Sequence, residues 1–172
     1  EKKFVRQIIA QDQAAIEAAT PTERRQLLDV QEKWKKSVAL LKNSQIKKMG
    51  NPLYVLPWYI VLGDSGSGKT SAIQNTKLSS PLTEVSRAAG IAGTRDFDWW
   101  FFEDSVILDT AGRYSVPVDG ERDVEEWESF LALLAKYRKK EPLNGVVVTV
   151  PADVLLSQSG EMLSDQGQHF RR

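Results

Sequence analysis

Residues 63–70 read GDSGSGKT, which matches the pattern G-x-x-x-x-G-K-[ST] at every fixed position. The apolar run WYIVL at residues 58–62 precedes this stretch, and SAIQN at residues 71–75 follows it. The order predicts a strand, a glycine-rich turn and the first turns of a helix. In that arrangement, successive backbone N–H groups point at phosphate oxygens. The sequence therefore predicts a nucleoside phosphate site of the Walker A type.

Each residue type in this stretch suits a phosphate ligand. The glycines let the backbone wrap closely around an anion, and the Lys69 ammonium supplies positive charge to the outer phosphates. The Thr70 hydroxyl is placed to bind Mg²⁺. The alternative is a Gly/Ser-rich turn with an accidental lysine. The residues predicted to bind the nucleotide are Gly63, Asp64, Ser65, Gly66, Ser67, Gly68, Lys69, Thr70 and Ser71.

A second motif, DTAG at residues 109–112, ends another apolar stretch. A carboxylate at Asp109 can hold the Mg²⁺ shell from the side opposite Thr70, and the Gly112 N–H can approach a γ-phosphate. Taken alone, the motif is weak evidence for a phosphate site, because Asp and Gly at the end of a strand often form only a turn. Its position 40 residues after Lys69 favours the functional interpretation.

The strand pattern defines the fold class. Residues 97–102 and 105–109 are predicted strands separated by two residues, which predicts an antiparallel hairpin. The Trp99/Trp100 pair in the first of these strands is predicted to be a buried aromatic cluster of the sheet, with a docking anchor as the alternative. A helix is predicted over residues 122–140, with one apolar side formed by Val124, Trp127, Phe130, Leu131, Leu134 and Tyr137. The β-branched run at 146–150 suits a central parallel strand. The prediction is an α/β P-loop NTPase with a GTPase-like three-layer αβα sheet containing one antiparallel hairpin strand. A further helix begins near residue 152 and ends with the chain, so the fold is expected to be C-terminally truncated.

Further candidates lie beside the two motifs. Thr94 occupies the position where switch GTPases close a threonine over Mg²⁺, although it can equally be a plain turn residue. Arg95 and Arg113 can each bring positive charge to the transferring phosphoryl oxygens, or can pair with Asp96 or Asp98. The predicted catalytic residues are Lys69, Asp109, Gly112 and Arg113, and the predicted metal ligands are Thr70, Thr94 and Asp109.

Two expected features are missing. Arg113 stands where switch GTPases usually carry a glutamine that orients water, so hydrolysis is expected to be slow or dependent on a partner. The guanine-reading motif N/T-K-x-D does not occur, so the sequence leaves ATP and GTP both open as the ligand.

The amino-acid composition excludes several kinds of functional site. The chain has 172 residues and no cysteine, which excludes disulfides and thiolate metal sites. Its single histidine, His169, lies among polar residues, so a Ser/His/Asp triad is not expected. Neither a membrane-length apolar run nor a signal peptide occurs in these residues. The first residue is Glu1 rather than Met, which suggests a piece of a longer protein.

The first fifty residues differ from the rest. They carry 11 Lys/Arg against 6 Asp/Glu, whereas residues 51–172 carry 12 against 17. Two amphipathic helices are predicted. The second starts after Thr20 as N-cap, with Pro21 at its first position and Glu23 reaching back as in a capping box. It presents one apolar stripe formed by Leu27, Val30, Trp34, Val38 and Leu41. We therefore predict a helical arm over residues 1–50, a helical hairpin with a structural or partner-binding role, and a P-loop NTPase-like domain over 51–172 that is incomplete at its C-terminus. The basic arm can contact anionic lipid or nucleic acid, or can be a solvated or docked face.

Four segments together resemble one protein family. They are LPWY at 56–59, GTR at 93–95, DWWF at 98–101 and LDTAGRY at 108–114. The combination resembles the IcmF/TssM family over about residues 52–156, and it is far more specific than any one segment.

The resemblance implies a cytoplasmic nucleotide-binding portion of a large inner-membrane protein of type VI secretion. It implies Mg²⁺ with ATP or GTP as cofactors. The implied partners are TssL- and TssJ-like membrane components and the secretion baseplate, with no nucleic acid expected. The function would be an NTP switch or an energy-coupling NTPase. The alternatives are a scaffold with a vestigial nucleotide site and a stand-alone GTPase, which the aromatic-rich hairpin disfavours.

Overall fold

The computed structural model describes residue 17 and residues 20–78, 97–116 and 118–169. It is an α/β structure with one mixed four-stranded sheet among the described residues. None of the described helices is long and apolar enough to cross a membrane. The elements are α1 (Pro21–Asn43), β1 (Trp58–Leu62), α2 (Lys69–Asn75), β2 (Phe97–Phe101), β3 (Val106–Thr110), α3 (Gly120–Tyr137), β4 (Gly145–Val148), α4 (Ala152–Ser157) and α5 (Gly160–His169), with short 3₁₀ turns at Gln45–Lys48 and Gly112–Tyr114.

The chain forms two compact units. The first contains the described residues up to Trp58 together with Asp119–Asn144. The second contains the described residues of Tyr59–Val118 and Gly145–Arg172. Both sequence motifs lie in the second unit.

Helix α1 is the main element of the first unit. It begins at Pro21, as predicted, where the missing N–H of proline costs no helical hydrogen bond. The Thr20 carbonyl accepts the hydrogen bond of the Arg24 amide at 2.8 Å, which starts the helical ladder. The first predicted arm helix and the capping side chain of Glu23 lie outside the described residues. The predicted apolar stripe of α1 is confirmed, since Leu27, Val30, Trp34, Val38 and Leu41 are all buried.

Trp34 organises the aromatic core of this unit. Its side chain is fully buried, and it stacks on Tyr137 of α3 with ring centroids 5.8 Å apart. Its ring also lies 5.6 Å from Phe130 and 6.4 Å from Trp58. Each such aromatic contact contributes about 1 kcal/mol of stability beyond the contribution of the apolar area that it buries. The core is therefore built between α1, α3 and the residue that begins β1.

Helix α3 forms close to its predicted place, but its buried face is rotated. Phe130 and Leu134 are buried as predicted, whereas Val124 is 45% exposed. The buried position in the first turn belongs instead to Asp123, whose carboxylate accepts the Asp119 backbone N–H at 2.9 Å. The apolar pattern could not predict this, because a buried helix start favours an acceptor for its amides over an apolar side chain.

The sheet of the second unit has the order β2-β3-β1-β4. Strands β2 and β3 are antiparallel, which confirms the predicted hairpin, and β1 pairs with β4 in parallel. Among the described strands β4 is the last in this order, so the central position predicted for it is not seen there. Its side chains Val146, Val147 and Val148 are 56%, 45% and 46% exposed. A β-branched run indicates a strand but does not specify the neighbours of that strand.

The tryptophans of β2 belong to the core. Trp99 and Trp100 are 4% and 6% exposed, and Trp100 packs in one cluster with Val61 and Ile73. The prediction of a buried aromatic cluster is confirmed, and the alternative of an exposed docking anchor is wrong.

Candidate functional site

The GDSGSGKT stretch forms a tight loop between β1 and α2. Gly66 and Gly68 have φ angles of +79° and +83°, in the left-handed region that glycine tolerates best. The Ser67 amide donates to the Asp64 carbonyl at 3.1 Å, which closes a turn inside the loop. Gly68 is the N-cap of α2, so the amides of the first helical turn have no carbonyl acceptor within the helix. The local sequence thus produces the predicted loop followed by a helix start.

The Lys69 side chain lies across this loop. It is 6% exposed, and its Nζ donates to the Gly63 carbonyl at 2.7 Å and to the Asp64 carbonyl at 2.8 Å. Burial lowers the pKa of Lys69, while the nearby Asp109 and Asp64 carboxylates oppose that shift. The geometry holds one positive charge at the base of the loop.

Thr70 and Asp109 meet as predicted. The Thr70 hydroxyl donates to Oδ2 of Asp109 at 2.6 Å, a short distance typical of a bond to a carboxylate. Asp109 is fully buried. A hydroxyl and a carboxylate are the hard oxygen ligands that Mg²⁺ prefers, so this pair fits that ion. Within the described ranges, no group of three or more His, Cys, Asp or Glu side chains could hold a metal.

The second motif lies directly against the loop. A Cβ atom on Gly112 would overlap the backbone N and Cα of Ser65 and would lie 2.7 Å from the carbonyl carbon of Asp64. The Gly63 amide also donates to the Ser115 hydroxyl at 3.0 Å. The DTAG segment and the GDSGSGKT loop are therefore in backbone contact.

A cavity of about 260 Å³ opens between the two motifs. Small and polar groups line it, and Lys69 is the lining residue with a charged side chain. This volume is near the lower limit of small-molecule pockets. The lining residues are Ser65, Gly66, Gly68, Lys69, Thr70, Ser71, Thr110, Ala111 and Gly112.

Some of the predicted site residues that the structure describes do not line this cavity, namely Gly63, Asp64, Ser67, Asp109 and Arg113. The Arg113 guanidinium lies over the Tyr114 ring, 4.8 Å from its centroid, and it is absent from the cavity lining. Thr94 and Arg95 lie outside the described residues, so their predicted roles stay predictions.

Three further residues complete the site and were not predicted. Thr110 donates its hydroxyl to the Val61 carbonyl at 2.7 Å, and Ser115 accepts from Gly63. Thr149 contacts Ser67 in the loop at 2.8 Å. One signal could have indicated Thr149, because it follows a strand parallel to β1, and the carboxyl ends of parallel strands meet at one edge. The two other residues carry no separate signal.

Comparison with known proteins gives two matches. Residues 120–172 match the family model of the IcmF-related N-terminal domain. Over 158 residues the chain is 37% identical to the type VI secretion system component TssM1 of Pseudomonas aeruginosa. That match covers 86% of the chain and 14% of the relative, so the chain spans a small part of the relative's length. No solved structure matches the chain.

Proposed function

The chain belongs to the IcmF/TssM family of type VI secretion system components, and on that premise we propose that it binds a nucleoside triphosphate for such a component. The proposed ligand is ATP or GTP with Mg²⁺. The proposed fold is a GTPase-like P-loop NTPase. The nucleotide acts as a conformational switch or as an energy source for secretion.

One observation carries the proposal: both motifs border one cavity, with Lys69 in its wall. The ammonium and the amides of the loop supply positive charge and hydrogen-bond donors to polyphosphate oxygens. Gly112 approaches the loop without a side chain and lines the cavity. A turn that only connected β1 to α2 would need neither a buried lysine nor a second motif against it.

The Thr70–Asp109 pair is the proposed metal-binding part of the site. Mg²⁺, when bound, neutralises phosphate charge and orients the terminal phosphate. Asp109 supplies negative charge that holds the Thr70 hydroxyl in place, and its burial excludes water from that carboxylate. These two residues thus fix the orientation of the oxygen ligands before the nucleotide arrives.

A second candidate function is a scaffold that holds nucleotide without turnover. One observation favours it: Arg113, which stands where switch GTPases carry a water-orienting side chain, stacks on Tyr114. We therefore expect hydrolysis by the isolated chain to be slow. A phosphate-release assay separates the two candidates, because only turnover releases phosphate above background.

The proposal extends to cellular context. We propose that the parent protein is anchored in the bacterial inner membrane, with this part on the cytoplasmic side. We propose TssL- and TssJ-like membrane components and the baseplate as its partners. Family membership supports this assignment.

Mg²⁺-nucleotide is expected to bind with a micromolar dissociation constant, which corresponds to about 8 kcal/mol. At a ligand concentration about 100 times the dissociation constant, binding adds about 2.7 kcal/mol to the free energy of unfolding. Calorimetric titration with Mg-ATP and Mg-GTP and a thermal melt with each measure this directly. Phosphate release is measured in the same samples, with and without partner domains. Absence of both heat and thermal shift contradicts nucleotide binding.

Asp109→Asn is expected to remove most of the dependence of binding on Mg²⁺. The asparagine keeps an oxygen that can accept from Thr70 but loses the charge that attracts the metal. We expect affinity measured with Mg²⁺ to fall about tenfold, the size of one charge-assisted interaction. Affinity measured in EDTA should change little. Asp104→Asn, an exposed carboxylate in the hairpin turn, is the control. If the nucleotide affinity of both variants depended equally on Mg²⁺, Asp109 would not be a metal ligand.

A further inference from the structure

Thr149 links the end of β4 to the phosphate loop. Its amide donates to the Leu62 carbonyl at 2.8 Å, and its hydroxyl contacts the same oxygen at 3.2 Å. The hydroxyl also lies 2.8 Å from the Ser67 hydroxyl, in the middle of the loop. One side chain therefore connects the last residue of β1 with a residue five positions further along the loop.

The protons in this contact can be assigned. A hydroxyl has a single proton, and the Thr149 proton is directed to the Leu62 carbonyl. With the Thr149 proton placed there, Ser67 donates its own proton to the Thr149 oxygen, a direction that the geometry of this pair allows. The Ser67 side chain is thereby turned toward β4, and its amide is already bonded to the Asp64 carbonyl. Both donors of Ser67 are used to shape the loop, so they are not available to an anion.

Gly63 makes this approach possible. A Cβ at Gly63 would overlap the Thr149 hydroxyl and would lie 2.6 Å from the Thr149 carbonyl oxygen. The first glycine of the motif therefore leaves room for Thr149.

We propose that Thr149 is a positioning residue for the phosphate loop. Its hydroxyl holds Ser67, and through Ser67 it keeps the loop amides in the arrangement that receives phosphate. This inference rests on the proposed nucleotide function and extends it to the end of β4. The strand next to β1 thus contributes to nucleotide affinity without touching the nucleotide.

Thr149→Val tests the proposal, because valine keeps the shape of threonine and lacks the hydroxyl. We expect affinity for Mg-ATP or Mg-GTP, whichever binds the unchanged protein, to fall about three- to tenfold, as for one lost hydrogen bond. Thr149→Ser should restore it. The matched control is Thr76→Val, which removes an exposed hydroxyl that donates to the Ile73 carbonyl at the end of α2. The control should bind like the unchanged protein.

A double-mutant cycle with Ser67→Ala separates positioning from a general structural role. If Thr149 acts through Ser67, the double variant binds about as well as either single variant. Additive losses, or a loss that Thr149→Ser does not restore, overturn the inference. An unchanged affinity in Thr149→Val also overturns it while leaving the proposed function standing. If the unchanged protein binds neither nucleotide, the proposed function fails, and this inference fails with it.

Discussion

Lys69→Met is expected to lower affinity for Mg-nucleotide about 100-fold, the largest effect of any substitution considered. The ammonium lines the cavity and is held at the base of the loop by the Gly63 and Asp64 carbonyls. An ammonium placed against phosphate oxygens contributes about 3 kcal/mol in a partly buried site, which corresponds to this loss. Methionine keeps the length and apolar body of the side chain. Titration calorimetry measures the change.

Lys136→Met, on the exposed side of α3, is the matched control and should bind like the unchanged protein. If Lys69→Met retained full affinity, the cavity would not be a phosphate site. A loss through unfolding is distinguished by the unfolding transition, which should remain single and cooperative.

The pH dependence of stability provides a second check on the same variant. Burial lowers the pKa of Lys69 below its ordinary value of 10.5, so the unfolded chain binds more protons between the folded pKa and 10.5. The free energy of unfolding contributed by Lys69 must therefore rise with pH across that window. The unchanged protein should gain stability relative to Lys69→Met as the pH increases. Urea unfolding of both proteins on each side of the window tests this sign.

Local sequence predicted the elements that depend on neighbouring residues. Strand β1 forms over Trp58–Leu62 as expected, because an apolar run bounded by Pro57 and Gly63 has few alternatives. The Thr70–Asp109 contact was also predictable, although 39 residues separate the two. Each of the two residues belongs to a motif, and the predicted chemistry requires them to lie close together. The motifs therefore predicted a long-range contact that hydrophobic periodicity does not indicate.

Contacts between a motif and residues outside both motifs were not predicted, although the strand that ends before Thr149 offered a signal for that residue. Ser67 and Thr149 are separated by 82 residues, and each looks like an ordinary loop or strand-end hydroxyl. The exposure of Val146 on β4 was missed for a similar reason, because it depends on which strand is the last in the sheet order. Both failures concern tertiary neighbours, which hydrophobic pattern does not encode.

Gly112→Ala is expected to destabilise the protein by about 2 kcal/mol, the typical cost of forcing extra volume into a packed contact. The added methyl group would overlap backbone atoms of Ser65. A backbone cannot move aside as the end of a flexible side chain can, so the DTAG segment and the loop must separate. This is a steric effect, since Gly112 is not among the glycines with positive φ. Urea unfolding measures the loss.

The same substitution should also weaken Mg-nucleotide binding by about 30-fold. Nucleotide binding requires the DTAG segment and the loop to come back into contact. The cost of that contact, about 2 kcal/mol, therefore reduces the binding free energy. Gly160→Ala is the matched control, because a Cβ there meets open space at the start of α5. Gly66→Ala gives a second comparison, since its Cβ also has room but its φ of +79° is unfavourable for alanine. If Gly112→Ala matched Gly160→Ala in both stability and affinity, the DTAG segment would not lie against Ser65, and the site built from both motifs would have to be abandoned.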